Sequence, residues 1–507
     1  MDEFGNRFSA AKQIRQAQIE GPAREVYKFC FNGRETEWDA TQPKTYDPEE
    51  IFTDVPATLA EDFYGELFST MTPENASWVE FEAGAAIEED DEQQAKEDLA
   101  LYEKTMDKAL SRSNYYDEGQ TAFQDAVIGN VAMWVERPTL NGNTVCEAIP
   151  MPETYLTIGP HGIADRFRKK SYYTRDLKAL FPKAKWPQKL QDKIKNAKNG
   201  RSDVVWGFWP TYEDPENPIW RAEIRVEGDA IGLDKDLKAK GEMPMVVGRF
   251  NPKPGSPWGR GPGLRMLPTI RVLNALTEMT LEGMDRNLDP AYTYPHDGML
   301  DLSDGIESGM TYPSAPGSAE SIKAIGTVEH LDQNFHSQDK LEEVLNNGFY
   351  RELEQRGKTP PSASQYIGQE QKQLRRIARP AGKLWREFGV GLLERLEFLE
   401  RQRGGLLDGV KLPMIENGVV APRPISPLER AQAREDVMVS QSIIDMTVQS
   451  VGPEQSMVLI DMPTSMKNIK DKLKDKLVTF RTQEEVMQAM MQMQQQQQGA
   501  PSDGDPQ

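Results

Sequence analysis

The sequence is poor in the residues from which most small catalytic or metal centres are built. It has two cysteines, Cys30 and Cys146, and four histidines in 507 residues. Two thiols cannot make a disulfide framework or a four-cysteine zinc site, and they fit a reducing compartment. His330 and His336 stand six apart, which does not put them on one helical face, and no cysteine lies nearby to complete a site. No metal and no cofactor are therefore expected. No apolar run approaches the roughly 18 residues of a membrane span, and the opening MDEFGNRFSAAKQ lacks the basic start and apolar middle of a leader. The chain reads as soluble, with no membrane partner and no standard secretory signal. Positive charge is scarce as well. Sixty Lys and Arg face 80 Asp and Glu, a net charge of -20, so the overall field repels nucleic acid, and only brief or sliding contact with it stays open.

What is present is length and an ordinary supply of core residues. A chain of this size implies roughly three to four domains or one large interlocked assembly subunit. Nine Trp, 18 Phe and 15 Tyr supply core material even though the mean hydropathy is -0.65. Enzymatic motifs are missing. Gly357-Lys358-Thr359 has no glycine five residues before Gly357, so the phosphate cradle of a P-loop cannot form there. Gly259-Arg260-Gly261-Pro262-Gly263 has the wrong spacing for a dinucleotide loop, and Pro262 lacks an amide that phosphate would need. Among 80 acids, adjacent carboxylates carry no message about acid–base chemistry.

Periodicity predicts an α+β chain, mainly helical. Leu59, Phe63, Leu67 and Phe68 mark a helix stopped at Thr72-Pro73, before a strand-like Trp78–Phe81. Helical spacing resumes over Leu99–Leu110 and Tyr116–Ile128, and Gly129-Asn130 then gives way to a strand over Val131–Val135. Residues 166–200 are basic in an otherwise acidic chain. From Val204 to Val247 the pattern turns to short β runs, read as a compact β insertion. A Pro/Gly-rich knot follows at 251–263, then a long helix from about Pro268 to Leu288, closed by Asp289-Pro290. Residues 297–328 read as loops, Asp339–Arg356 and Ser362–Arg403 as helices, and Gln494–Gln507 as a disordered, low-complexity tail.

One stretch is recognisable as a motif: Trp258-Gly259-Arg260-Gly261-Pro262-Gly263-Leu264-Arg265-Met266-Leu267-Pro268, followed by Asp289-Pro290-Ala291 and His296-Asp297-Gly298. It strongly resembles the head-to-tail connecting (portal) proteins of short-tailed, podovirus-type bacteriophages. Three further pieces fall in the same order as in that family: Leu67–Pro73 with Trp78, Phe123–Asn130, and Pro361–Gln365 leading to Arg375, Arg376 and Ala381-Gly382. The likeness runs over about residues 50–400, and none of its motifs is catalytic. Ser364-Gln365 stands where the family more often has a threonine-rich turn.

The resemblance implies a non-enzymatic subunit of a dodecameric ring at one capsid vertex. Such a ring passes duplex DNA during genome packaging and ejection, binding the terminase large subunit first and tail adaptors later. Major capsid protein, scaffolding protein and internal core proteins are the other implied partners. The implied location is the virion head–tail junction, with the host cytoplasm during assembly. Mapped onto this chain, the portal plan gives an N-terminal wing over 1–165, a descending stem over 166–200, and a β-rich clip over 201–257. An ascending stem helix over 258–290 would follow, then wing with tunnel loop over 291–424, crown or barrel helices over 425–490, and a tail over 491–507. In a ring every lumen-facing charge is repeated once per subunit, and rings of bound cations would hold DNA where acids let it slide. Glu278, Glu282 and Asp285 are thus the candidate channel-lining residues, with a plain solvated or intersubunit face as the alternative. Arg166, Arg168, Lys169 and Lys170 are candidate stem cations, reaching either acids of a neighbouring subunit or capsid, or DNA phosphate. Trp206, Trp209 and Trp220 are clip-interface candidates, with core packing as the other reading. Rival identities are another head–tail adaptor of the virion and a cytosolic enzyme with an unrecognised site.

Overall fold

Local chemistry sets the element boundaries. Asp2 caps α1 (Glu3–Arg15) by accepting a hydrogen bond from the Gly5 amide at 3.1 Å, with Glu3 in the first turn and Lys12 and Arg15 in the last. A π-helical turn leads into α2 (Gly21–Cys30), whose early Pro22 sits where no intrahelical donor is needed. Pro56 does the same for α3 (Val55–Met71), which buries the expected Leu59, Phe63, Leu67 and Phe68 stripe. The chain continues through β1 (Phe81–Glu82), α4 (Glu92–Arg112), α5 (Tyr115–Gln124), β2 (Asn130–Glu136) and β3 (Val145–Ala148). Next come β4 (Thr154–Gly159), β5 (Gly162–Tyr173), α6 (Leu177–Leu180), α7 (Gln188–Asn196), β6 (Arg201–Thr211), β7 (Ile219–Val226), β8 (Asp229–Leu237) and β9 (Met245–Arg249). The 27-residue α8 (Pro262–Leu288), short strands β10 (Ala291–Pro295), β11 (Thr311–Ser314) and β12 (Lys323–Ile325), and α9 (Leu331–Gly348) complete the middle of the chain. Helix Val390–Arg401 and β13 (Arg423–Pro424) follow, and helix Pro427–Val451 is separate from them.

This computed structural model describes residues 2–452 apart from 33, 39–49, 75–77, 84–90, 140–141, 197–198, 212–218, 296–307, 315–322, 326–330, 352–375, 378–379 and 426; beyond 452 it describes only 460, 464–466 and 469. The chain is mixed α+β, mostly helical, and forms two compact units, Met1–Pro424 and Ile425–Gln507. In the first unit a five-stranded antiparallel sheet has the order β4-β5-β6-β7-β8, and a second has the order β3-β2-β9. Helix α1 covers the large sheet, where Phe4, Ala11, Phe167, Val205 and Trp209 form one buried cluster. The helical core is aromatic. Phe68, Tyr115, Phe123 and Phe388 meet ring to ring, and Trp78 packs edge-on against Trp385. In the second unit, helix Pro427–Val451 leaves Val439, Ile443 and Met446 exposed at helical spacing.

Three expected boundaries change. The division at residue 201 cuts through paired strands, because Arg166↔Phe208 through Tyr173↔Arg201 join β5 to β6. The run 166–200 therefore begins as the second strand of the large sheet, and the β-rich run after it extends that sheet, while β9 leaves it to pair with β2. Cross-strand pairing is a long-range property that a charge reversal along the chain does not report. The long helix starts at Pro262, six residues ahead of Pro268, because Pro262 takes the first turn without losing a donor and Pro268 is accepted inside the helix. The Pro361–Gln365 helix start, the Gly357-Lys358-Thr359 site, His296, His330 and the Gln-rich tail lie outside the described residues, as does most of the expected tunnel-loop region.

Candidate functional site

Two of the stretches that carry the resemblance lie against each other at the foot of α8. Gly129 adopts φ +134°, a value side chains rarely allow, and its carbonyl accepts from the Phe250 amide at 2.7 Å. Across from it, the Gly259 amide donates to Asn130 Oδ1 at 2.9 Å, the Arg260 amide to the Phe250 carbonyl at 2.9 Å, and the Gly261 amide to the Ile128 carbonyl at 2.6 Å. A Cβ on Gly261 would meet the carbonyls of Ala126 and Val127, and one on Gly259 would meet the backbone of Gly129. The glycines are there because backbone packs on backbone. Phe123–Asn130 and Trp258–Gly263 together clamp the start of α8.

From that clamp α8 runs about 40 Å at 1.5 Å per residue. Helix α9 returns beside it in the opposite direction. Gln338 donates to Thr280 Oγ1 at 3.2 Å partway along, and Arg265 donates to the Gly348 carbonyl near the base. At the far end β10 pairs with β11 and β12 in a three-stranded sheet. The base is tied further by Asn274, whose Oδ1 accepts from the Phe52 amide at 2.9 Å, and by the Arg271–Glu25 ion pair at 2.6 Å.

With about 100° per residue, Arg271, Glu278, Glu282 and Asp285 fall within one stripe of roughly 60° on α8. Glu282 and Asp285 are exposed and Glu278 half-buried; the one ion pair made by these three acids among the described residues is Glu282 with Arg286, at 3.8 Å. Apolar side chains border the stripe on both sides. Val272 and Met279 lie on one flank; Leu281, Met284 and Leu288 lie on the other. They are unusually open for such residues, with Met279 65% and Leu288 84% exposed.

A family model described as "Bacteriophage head to tail connecting protein" matches residues 2–474. The chain belongs to that family. No curated protein matches it. As a head-to-tail connecting protein it works at the head–tail junction of a phage virion. No helix among the described residues of this family member is long and apolar enough to cross a membrane, and none of its described His, Cys, Asp or Glu residues form a group of three able to hold a metal ion.

Three of the four candidate cations of this connecting protein pair with acids of the same chain. Strand alternation puts Arg166, Arg168 and Lys170 on one side of β5 and Lys169 on the other. Buried Arg168 donates to both oxygens of Glu147 and to Glu153 at 2.9 Å, and Lys170 also bonds Glu147. Burial pushes the Glu147 carboxyl up, but the hydrogen bonds and charge of Arg168 and Lys170 outweigh it and hold the pKa at about 2. Lys169 pairs with Asp203 at 2.7 Å. Arg168, Lys169 and Lys170 thus have acidic partners within one chain, with Arg168 buried and the two lysines still partly exposed. Arg166 has no carboxylate partner among the described residues, and it faces a cavity beside Trp220.

The tryptophans divide likewise. Trp209 is 1% exposed within the α1 cluster, and Trp206 is buried among Trp134, Tyr172 and Phe181, so their expected interface role gives way to a core one. Trp220 is half-buried. Sequence reasoning missed the ion pair of buried Arg249 with half-buried Glu387, which joins β9 to the π-helical turn at 385–389, with Nε donating at 2.9 Å. It also missed buried Asp125, which accepts from the Tyr27 hydroxyl at 2.6 Å and the Met151 amide at 2.7 Å. Burial raises the Asp125 pKa to about 6. Only the Asp125 position lay inside a quoted motif.

Proposed function

We propose that this connecting protein is the portal subunit of a short-tailed phage, a non-enzymatic, ring-forming chain that surrounds a DNA channel at one capsid vertex. The observation that carries this reading is the α8–α9 hairpin, with an acidic stripe bordered on both sides by exposed apolar side chains. A rotational ring needs two different patches on each subunit, one for each neighbour, and a surface between them that faces the axis. Val272 with Met279, and Leu281 with Met284 and Leu288, would be those patches on α8. Glu278, Glu282 and Asp285 would line the channel and keep DNA from adhering.

The portal plan is reassigned accordingly. The two-helix stem is α8 with α9, not residues 166–200 with 258–290, and the clip is the small sheet β10–β12 at its far end. The large sheet β4–β8 belongs to the wing, and residues from Ile425 onward to the crown. Docking of the terminase large subunit, then of tail adaptors, falls to the clip end. Capsid, scaffolding and internal core proteins would meet the wing and crown. ATP hydrolysis belongs to the motor partner.

Single-particle imaging and native mass of the purified full chain test this. Twelve copies of a 57.3 kDa chain give a ring of about 690 kDa with an axial opening. A stable monomer, or a particle without an axial hole, overturns the proposal, and a ring without a two-helix stem assigns the chain to another adaptor of the virion.

A further inference from the structure

A cavity of about 800 Å³ opens in the first unit, walled by the large sheet, the turn before β9 and the helix that carries Glu387 and Glu394. Arg166, half-buried as a residue, lines it, and its guanidinium is less fully bonded than those of Arg168, Arg249 and Arg395 nearby. Its Nε is buried with no hydrogen-bond partner, while Nη1 reaches the Met245 carbonyl at 3.2 Å and Met243 Sδ at 3.5 Å. The guanidinium lies 5.3 Å from the centre of the Trp220 ring. By contrast Arg168 has Glu147 and Glu153, Arg249 has Glu387, and Arg395 donates to the carbonyls of Val135, Gly241 and Glu242. Glu387 attracts Arg166 through its charge but is bonded to Arg249, so the Arg166 guanidinium has no carboxylate of its own, a costly arrangement in a chain with 80 acids.

The acids lining the cavity are already taken. Glu387 is held by Arg249, Glu394 by Lys240, and Glu242 by Lys235. Lys238 and Arg386 also line it and make no ion pair among the described residues. The cavity therefore carries surplus positive charge inside a chain of net charge -20. Ile219, Leu237, Val246 and Val390 supply apolar wall.

We propose that this cavity binds a carboxylate carried on an apolar stem, with Arg166 as its counter-ion and Trp220 and the aliphatic wall around the stem. A guanidinium matches a carboxylate in a planar two-bond fork. Phosphate, more heavily charged and hydrated, needs several converging donors, and a single buried guanidinium among aliphatic walls does not provide them. Burial lowers the Arg166 pKa to about 10, the penalty that an incoming anion would offset. The carboxylate can come from a free acid or from a side chain or C-terminus of a protein, including another copy of this chain.

Isothermal titration and thermal melting of the full chain decide it, with sodium hexanoate, hexanamide and inorganic phosphate as probes. Hexanoate is expected to bind and raise the melting temperature, with hexanamide and phosphate at least about tenfold weaker. Arg166→Met should lose hexanoate at least about tenfold, yet melt at or above wild type when empty, because it removes an unpaired buried charge. Arg386→Gln, an exposed change that leaves the fold alone, should weaken hexanoate about threefold. Equal binding of hexanoate and hexanamide, phosphate as tight as hexanoate, hexanoate retained by Arg166→Met, or no binding to the isolated chain would each overturn the proposal. Hexanoate that enters the isolated chain but not the assembled ring identifies a neighbouring copy as the source. Entry into both points to a free acid or a different protein.

Discussion

Reversing the acidic stripe of α8 should turn a surface that repels DNA into one that grips it. Glu278, Glu282 and Asp285 lie within eight residues, seven steps or about 10 Å along the helix axis. Duplex DNA presents one phosphate per roughly 1.7 Å of axis, so about six phosphates occupy a belt of that height at any instant. In a ring carrying Glu278→Lys, Glu282→Lys and Asp285→Lys, each neutralised phosphate contributes about -0.9 to the slope of log K against log salt. The expected slope approaches about -5, so affinity for a short duplex should fall by roughly a thousandfold between 50 and 200 mM salt. The local penalty is small. These side chains are half-buried or exposed, and the Glu282–Arg286 pair at 3.8 Å is an i,i+4 contact worth only about 0.3–0.5 kcal/mol. Fluorescence anisotropy with an end-labelled duplex, across a salt series and on imaged rings, reads the effect. A control that reverses two exposed acids away from α8, Asp234 and Asp236 on β8, should gain nothing. If the stripe variant binds no better than wild type, or no better than the control, the stripe does not face DNA and the channel assignment fails.

Gly261→Ala drives a methyl group into the Ala126 and Val127 carbonyls, so it should abolish soluble folded protein or lower stability by about 3 kcal/mol or more, seen in thermal melts; a melt like wild type would refute the clamp at the foot of α8. Asp125 has a folded pKa of about 6 against an ordinary 3.8, so the folded state holds its proton more tightly and the contribution of this one group to stability is fully present below about 3.8 and falls by about 3 kcal/mol as pH rises past 6. Asp125→Asn should remove that slope from a series of urea melts at pH 4 to 7, and an unchanged slope would show that burial at Asp125 does not govern it. Glu387→Gln leaves the 3%-exposed Arg249 side chain without its anion and should lose about 3–5 kcal/mol in urea unfolding. The double variant Arg249→Met, Glu387→Met should recover much of that loss, and single and double variants equally unstable would contradict the pairing.

Periodic features were legible because they are local. The stripe of Leu59, Phe63, Leu67 and Phe68 gave α3, the break at Thr72-Pro73 marked its end, and Asp289-Pro290 ended α8 where the sequence placed it. The Pro/Gly knot could be recognised, but not explained, since the reason for Gly259 and Gly261 is Gly129 across the fold. The basic run misled for the same reason. The acids that answer Arg168, Lys169 and Lys170 are Glu147, Glu153 and Asp203, brought close only when β5 meets β3, β6 and the turn ahead of β4. Acids on α8 could be named in advance, because one helix fixes its own stripe. Arg166 could not be singled out from Arg168, two residues away and of identical type, until one had its carboxylates and the other had a cavity.

The glycine junction at residues 129 and 259–261 also governs leverage. A strut some 40 Å long, set on a foot that could rock by one degree, would swing its tip by about 0.7 Å. With main chain seated directly on main chain, and the Asn130 side chain bonded into the seat, little at the foot can relax by a change of rotamer. Pivoting or breathing of the hairpin is then expected as bending along its outer turns ahead of any rocking at its root.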